Sequence, residues 1–442
     1  EGDSFLTITL PTFAKGLEQS LEAGVCSPNL FPSFRFRGGL PVFLRGFLRL
    51  VFTENGVLLP NPSISAIRNI RQICLMLAKV ELPSDEGRTR KAMLGYVRTD
   101  QDVGEFARTR DRSFDTRLSN LSAMLFGELL QELESSLYEG SLECFLPRHG
   151  PGATSDYLVG NQKFQQSEWP SRLDRVLPVG EFLLPNWRYL SELETVDILD
   201  PGAERPVRVV PVPKTVKTPR IIAIEPTCMQ YAQQAVLQHL TRRIEEIPHL
   251  RHGIGLLDQT PNQRLALEGS ILSNLATLDL SEASDRVSLD LVRVVFARFP
   301  QFLELLEATR STKASVPVQD APVELNKFAS MGSALCFPVE AMCFYAISLL
   351  ALENESGRHL RLRDVVRLSG RRVRVFGDDI IVPAHNALSV MGFLESFGLK
   401  VNRHKSFWKG NFRESCGSDF FKGENVNVVR LRRMFPHGRR DA

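Results

Sequence analysis

The run ALCFPVEAMCFYAISLLAL, residues 334–352, limits the fold more than any other stretch of this sequence. As a helix it is apolar all the way round and has no face to give to water. It is nearly long enough to cross a membrane. Pro338 and Glu340 lie in its first half, however, and its flanks are not basic, so a helix buried in protein is the better reading. A chain of 442 residues has the length to enclose it, as two to three domains or as one large enzyme with interleaved subdomains.

The rest of the composition is that of an ordinary soluble globular chain, 43% hydrophobic and 24% charged. A net charge of +3 permits a nucleic-acid partner without arguing for one. The seven cysteines are odd in number and include no C-x-x-C pair, which points away from a disulfide framework or a zinc site and toward a reducing cytoplasm. The N-terminal EGDSFLTITLPTF has no basic start followed by an apolar signal core, and it lacks an initiator Met, so the chain reads as a processed or partial product.

Periodicity divides the chain near residue 206. Before it, short apolar runs mix with Pro and Gly, including the basic-aromatic SFRFRGG at 33–39. Helices are expected over 63–80, opened by Ser63 with Ile64, Ile67, Cys74 and Leu77 on one side, and over 117–138. PRHGPGAT at 147–154 reads as a turn-rich loop before a long irregular stretch. Beyond 206, two strands flank a basic turn, then come a helix over 227–245, a strand over 274–280 and a helix over 287–299. The apolar helix, a hairpin at 373–383, a helix over 386–397 and further short strands complete the order. It suggests an α+β sheet with helices packed on one face.

The hairpin is VFGDDIIVP, with Gly377 supplying the turn and Asp378 and Asp379 adjacent at its tip. Adjacent carboxylates repel, so they are either solvated turn residues or holders of a cation. TLDLSEASD places Asp279 near the end of an apolar strand and Asp285 six residues later. If that strand pairs beside the hairpin, Asp279 and Asp378 converge on one sheet edge. Carboxylates there would hold two Mg²⁺ ions roughly 3.5–4 Å apart for in-line displacement at phosphorus. Otherwise Asp279 merely ends a strand and Asp285 caps the helix near Val287. PVPKTVKTPR puts Lys214, Lys217 and Arg220 at three-residue intervals, while no G-x-x-x-x-G-K-[ST] loop exists, so any triphosphate must be gripped by side chains. Alone, such a run is also an ordinary solvated loop.

The order of a basic hairpin, D-x5-D, a Gly-containing turn before a helix and then GDD resembles the palm of viral RNA-dependent RNA polymerases. TLDLSEASDRVSL, SMGSALCFPVE, VFGDDIIVP and FRESCG, with IEPTCMQYAQQAV and DQTPNQRLALEGS between the basic hairpin and the first acid motif, are similar to the replicase catalytic subunit of leviviruses, the single-stranded RNA bacteriophages. The likeness is specific over about 206–433. It implies a right-hand polymerase fold with fingers and palm and an antiparallel palm sheet packed on helices. The N-terminal region and fingers would occupy 1–270, including the basic hairpin 206–224, and the palm 271–425 with a fingers insertion near 305–328. Residues 426–442 would begin a thumb too short to be complete.

The resemblance also implies roles. Asp279, Asp378 and Asp379 would be the metal site for two Mg²⁺ ions, with Mn²⁺ as a substitute, and Lys405 the general acid, or simply a charge, for departing pyrophosphate. Lys214, Lys217 and Arg220 would neutralise the triphosphate. Asp285 would sense the ribose 2′-OH, in a nucleotide pocket with Ser330, Gly332 and Glu340. Two carboxylates this close cannot both ionise cheaply, so either one of Asp285 and Glu340 is protonated or a basic side chain lies between them. Arg413 would lie near primer or product strand, and Arg430 and Arg432, alternating as on one strand face, would touch the phosphate backbone or form a solvated tail. Cys336 stands where many viral polymerases have Thr, and Glu340 where they have Asn. Expected partners are single-stranded RNA template and product, ribonucleoside triphosphates, host elongation factors Tu and Ts and a ribosomal RNA-binding protein, with no membrane, in the cytoplasm of the bacterial host. A reverse transcriptase-like enzyme would share the metal acids but usually carries a bulky residue in place of an acid at ribose selection, and a non-catalytic RNA-binding protein would have no need of all three acids.

Overall fold

In a computed structural model, which describes residues 2–82, 85–184, 186–215 and 218–433, the apolar run is a helix, Cys336–Ser356. It has the length and composition of a membrane span, yet every residue from Pro338 through Glu353 is buried inside the protein. Pro338 is accommodated because it falls in the first turn, where backbone N–H groups have no intrahelical partner to lose. The helix stops at Gly357, which takes the left-handed conformation at φ 67°. Its buried Glu353 is compensated by Arg117 at 3.0 Å and the Leu360 N–H at 2.7 Å. Helices Asp115–Glu139, Thr227–Glu246, Leu289–Val295 and Ala387–Ser396 surround it.

Against this central helix lies a three-stranded antiparallel sheet ordered Arg374–Phe376, Asp379–Pro383, Leu275–Leu278. The strand Leu275–Leu278 is buried at every position. Alternation sends Ala276, Leu278, Ile380 and Val382 into the core shared with the central helix, and Leu275 and Ile381 to the opposite face against Leu265. The expectation of helices on one face is therefore corrected. A helix at Thr260–Leu272, together with the hairpin Phe412–Ser415/Ser418–Phe421, covers the second face. A sheet buried on both sides is also why these strands read as continuous apolar runs.

The basic hairpin, Val207–Val212 paired with Arg220–Ile224, belongs to a second sheet. Lys313–Ser315 joins it in parallel and Val323–Glu324 completes it, so the segment near 305–328 returns to the basic hairpin. This sheet packs on a long helix, Glu86–Thr109, through Met93, Tyr96 and Val97. The expected helix over 287–299 is shorter, Leu289–Val295, and is followed by another at Pro300–Thr309. At the N-terminus, helix Leu10–Ala23 and helix Ile64–Leu75, the latter capped by Ser63 as expected, form a phenylalanine-rich core with Phe407, Phe412 and Phe421. All seven cysteines are free thiols.

Candidate active site

The acid hairpin turns where the sequence suggests, between Phe376 and Asp379, which face each other across the strands. Gly377 is needed there twice over. Its φ of 57° favours glycine, and a Cβ would come within 2.3 Å of the Phe337 ring. Ile380 faces Leu278 in the neighbouring strand, so the end of that strand, where Asp279 follows, runs beside the start of Asp379–Pro383. The convergence of Asp279 with the acid pair is thus set by sheet register.

A third segment lines the other side of Asp279. Thr277 exchanges backbone hydrogen bonds with Phe407 at 3.0 and 2.8 Å, and Leu280 is bridged to Val401. The intervening loop folds over Asp279. Ser406 Oγ accepts its backbone N–H at 3.2 Å, the Asn402 amide donates to its Oδ2 at 2.8 Å, and Lys405 Nζ lies 3.8 Å from its Oδ1. Burial raises the Asp279 carboxyl to about 6, Lys405 pulls against it, and Asp378 and Glu414 push it further up. Asp379 rises to about 7, again from burial first and then from Asp378. Asp378 itself is exposed. For Lys405, burial acts downward, but Glu414, Asp279, Asp378 and Asp379 outweigh it and hold the ammonium above its ordinary value.

The basic hairpin looks onto the same centre. Lys214, at its turn, is held below the usual lysine range by desolvation and by Arg220 and Lys405, while Asp378 and Asp279 oppose the shift. Lys217 lies outside the described residues. Gly332 ties this hairpin to the start of the central helix. The Ala223 N–H donates to the Met331 carbonyl at 2.9 Å, and a Cβ on Gly332, whose φ is 134°, would meet the Ala223 oxygen at 1.9 Å.

Asp285 is not a helix cap. That role belongs to Ser288, whose hydroxyl accepts the Leu291 N–H. Asp285 instead pairs at 2.9 Å with Lys327, a fully buried lysine whose ammonium sits 3.5 Å from the centre of the Tyr96 ring. Tyr96 Oη is 2.7 Å from Ser330 Oγ, and Ser330 is itself buried. Glu340 accepts from Ser284 at 2.8 Å and has Cys336 Sγ at 3.9 Å. Burial, with Asp378 and Asp285 adding to it against the Ser284 bond, raises Glu340 to about 8. Burial thus pushes Glu340 toward its neutral form, while Lys327 pairs with Asp285.

Three arginines are placed differently from expectation. Arg413 has no exposed surface; it donates to the carbonyls of Leu275, Gly410 and Phe412 and lies 3.7 Å from Glu22, so it braces the hairpin and cannot reach an RNA strand. Arg430 and Arg432 are not on a strand. Their segment is held by Met76 and Glu81 through backbone bonds, Arg430 reaches toward Asp419 at 3.9 Å, and Arg432 is exposed. Sequence reasoning missed Glu414, Lys327 and Tyr96. Glu414 was legible in part: it alternates with the buried Arg413 and Ser415 on Phe412–Ser415, and its N–H reaches Thr277 Oγ1 at 3.4 Å.

Among the described residues, no three His, Cys, Asp or Glu side chains form a ready-made metal cage. The donors at the sheet edge, the carboxylate oxygens of Asp279, Asp378 and Asp379, are of the hard kind that divalent cations such as Mg²⁺ take. The carboxyls are raised by burial first and by neighbouring carboxylates second, and a bound cation would oppose both effects.

These features define a mixed α/β protein with a carboxylate–lysine centre at the edge of an antiparallel sheet. The chain belongs to the RNA replicase, beta-chain family, whose family model matches residues 203–437. It is similar to the RNA-directed RNA polymerase subunit beta of Enterobacteria phage SP, 38% identical over 226 residues that cover 51% of this chain and 36% of that protein. The subunit from Escherichia virus Qbeta is 36% identical over 225 residues, 51% of this chain and 35% of its own. The RNA-directed RNA polymerase beta chain of Escherichia phage MS2 is 35% identical over 318 residues, 70% of this chain and 52% of its own. The matched region thus spans about a third to a half of these relatives' length. A solved chain titled "RdRp complex" aligns over 73% of this chain and 28% of its own at 11% identity and a TM-score of 0.38, too distant to add to the assignment.

Proposed function

We propose that this chain carries the catalytic centre of an RNA-dependent RNA polymerase, extending RNA on a single-stranded RNA template from ribonucleoside triphosphates inside a bacterial host. The observation that carries the reading is the register of Leu275–Leu278 beside the acid hairpin, which aligns Asp279 with Asp378 and Asp379 under Lys405 and Lys214. The palm would comprise 271–425, the fingers the region before it together with the 305–328 segment that shares the basic hairpin's sheet, and 426–442 the start of a thumb, of which 434–442 lie outside the described residues.

Asp279, Asp378 and Asp379 would hold divalent cations, two Mg²⁺ ions with Mn²⁺ able to replace them. When bound, these supply Lewis-acid activation of the attacking 3′-hydroxyl and neutralise charge at the displaced phosphate. Asn402 and Ser406 hold Asp279 at its carboxylate and its backbone and so keep it aimed at the sheet edge. Lys214 and Arg220 would grip the triphosphate; burial and then Arg220 depress Lys214, and an arriving anion would oppose that shift. Lys405 holds its proton tightly, since four carboxylates stabilise its charge; that favours a role as fixed positive charge at the leaving group until cations offset those acids. Asp285 would accept the ribose 2′-OH.

An incorporation assay on a primed RNA template, with ribo- and deoxyribonucleotides and with and without divalent metal, tests the reading. Metal-dependent, ribo-selective extension is expected. Equal use of both sugars would favour a reverse transcriptase-like enzyme, and no extension by a folded, metal-loaded chain would contradict catalysis.

A further inference from the structure

Lys327 is the least expected charge in the molecule: a lysine with no solvent contact, in a segment that otherwise reads as a loop before the central helix. Burying an ammonium is unfavourable unless it is fully compensated. Here the compensation comes from two sides, the Asp285 carboxylate at 2.9 Å and the Tyr96 ring face at 3.5 Å. The backbone around it is fastened as well. Asp100 accepts the N–H groups of Asn326 and Lys327 at 3.0–3.1 Å, so helix Glu86–Thr109 fixes both the loop and the ring.

Tyr96 serves a second purpose. Its hydroxyl is 2.7 Å from Ser330 Oγ. One ring therefore supports the cation that holds Asp285 and, through its hydroxyl, the serine that opens the next loop. Asp285 and Tyr96 both line a cavity of about 600 Å³, whose walls also include Lys91 and Pro219 beside the basic turn. Lys327 engages Asp285 through Oδ1, and the side chain keeps 24% of its surface exposed.

We infer that Lys327 and Tyr96 are positioning residues for sugar selection: together they keep Asp285 oriented so that it accepts a hydrogen bond from the 2′-hydroxyl of a ribonucleotide. This rests on the polymerase reading above, and neither residue touches the substrate. A purely structural ion pair would, on removal, affect ribo- and deoxyribonucleotides alike. A positioning pair affects the ribonucleotide selectively, because only that sugar offers the donor.

The test measures kcat/KM for GTP and for dGTP on a primed RNA template, using the full chain, with thermal unfolding recorded for each variant. Wild type should prefer GTP, and Asp285→Ala should lose the preference; a wild type without preference overturns the underlying reading and this inference with it. Given that preference, Lys327→Met is expected to lower the GTP/dGTP ratio by about tenfold or more, through KM for GTP, with kcat for dGTP little changed. Tyr96→Phe, which keeps the ring and removes only the hydroxyl, is expected to lower it by about threefold. A folded Lys327→Met that keeps the ratio within about twofold of wild type overturns the inference while leaving the polymerase reading intact. Should Lys327→Met not fold, Tyr96→Phe decides by the same threshold.

Discussion

Two charged clusters in this molecule share an ingredient list and differ in balance. At the junction of the N-terminal helices with the C-terminal hairpin, Arg71 lies buried between Asp419 at 2.5 Å and Glu18 at 3.3 Å. At the sheet edge, Asp378 and Glu414 add to the burial that raises Asp279 and Asp379, with Lys405 as the near cation, 3.8 Å from Asp279. The first cluster is closed, with a guanidinium seated between its acids. Burial raises acids in both, Glu18 and Asp419 in the first and Asp279 and Asp379 in the second, but the second is partly open, with Asp378 exposed at its tip. The contrast is one of access: the Arg71 guanidinium already lies between Glu18 and Asp419, whereas the sheet-edge acids can be reached from solvent through Asp378.

The largest effect should follow from Asp378→Asn. It removes a proposed metal ligand from an exposed turn, so incorporation is expected to fall by about 10⁴-fold, a loss of about 5.5 kcal/mol of barrier lowering, with the unfolding temperature unchanged. Retention of a tenth of the activity would erase the difference between the clusters. Arg71→Ala should do the converse, destabilising the fold by about 3–5 kcal/mol in denaturant unfolding, because it strands two buried acids.

Glu340 sharpens the comparison from within the core. Its folded-state carboxyl at about 8 lies above its unfolded value, so its contribution is fully present below about pH 4.5 and is lost as pH rises through 8. Glu340→Gln does not titrate. In metal-free buffer its stability relative to wild type should rise between pH 5 and 9 by a total of about 1–3 kcal/mol. A difference flat with pH would mean that Glu340 is ionised and compensated. Smallest is Arg430→Ala: if this arginine meets a phosphate, the slope of log affinity for RNA against log salt should shrink by about one. An unchanged slope would leave it bound to Asp419 alone.

How much of this was readable beforehand follows the range of each interaction. The acid hairpin and Asp279 were legible because strand, turn and charge lie within a few residues of one another. The buried helix was legible because no other environment suits its composition. Helix Thr260–Leu272 was not read as one, since only Leu265, Ala266 and a few small or polar residues form its buried side. Lys327 and Arg413 were misjudged or missed for one reason. Their burial depends on Tyr96 and Asp285 in one case, and on Glu22 and the Leu275 carbonyl in the other, all contributed by distant segments. A lysine or arginine looks the same in sequence whether it faces water or a ring.

On the proposed reading, the sheet-edge carboxylates form a cation site that solvent can reach. Mn²⁺ binding to the metal-free chain, followed by water-proton relaxation, tests it without any requirement for catalysis. Saturable binding in wild type, lost or strongly weakened in Asp279→Asn and in Asp378→Asn and retained in a mildly destabilising substitution at Arg71, is the predicted result. Equal Mn²⁺ binding by wild type and both aspartate variants, all folded, would contradict the account.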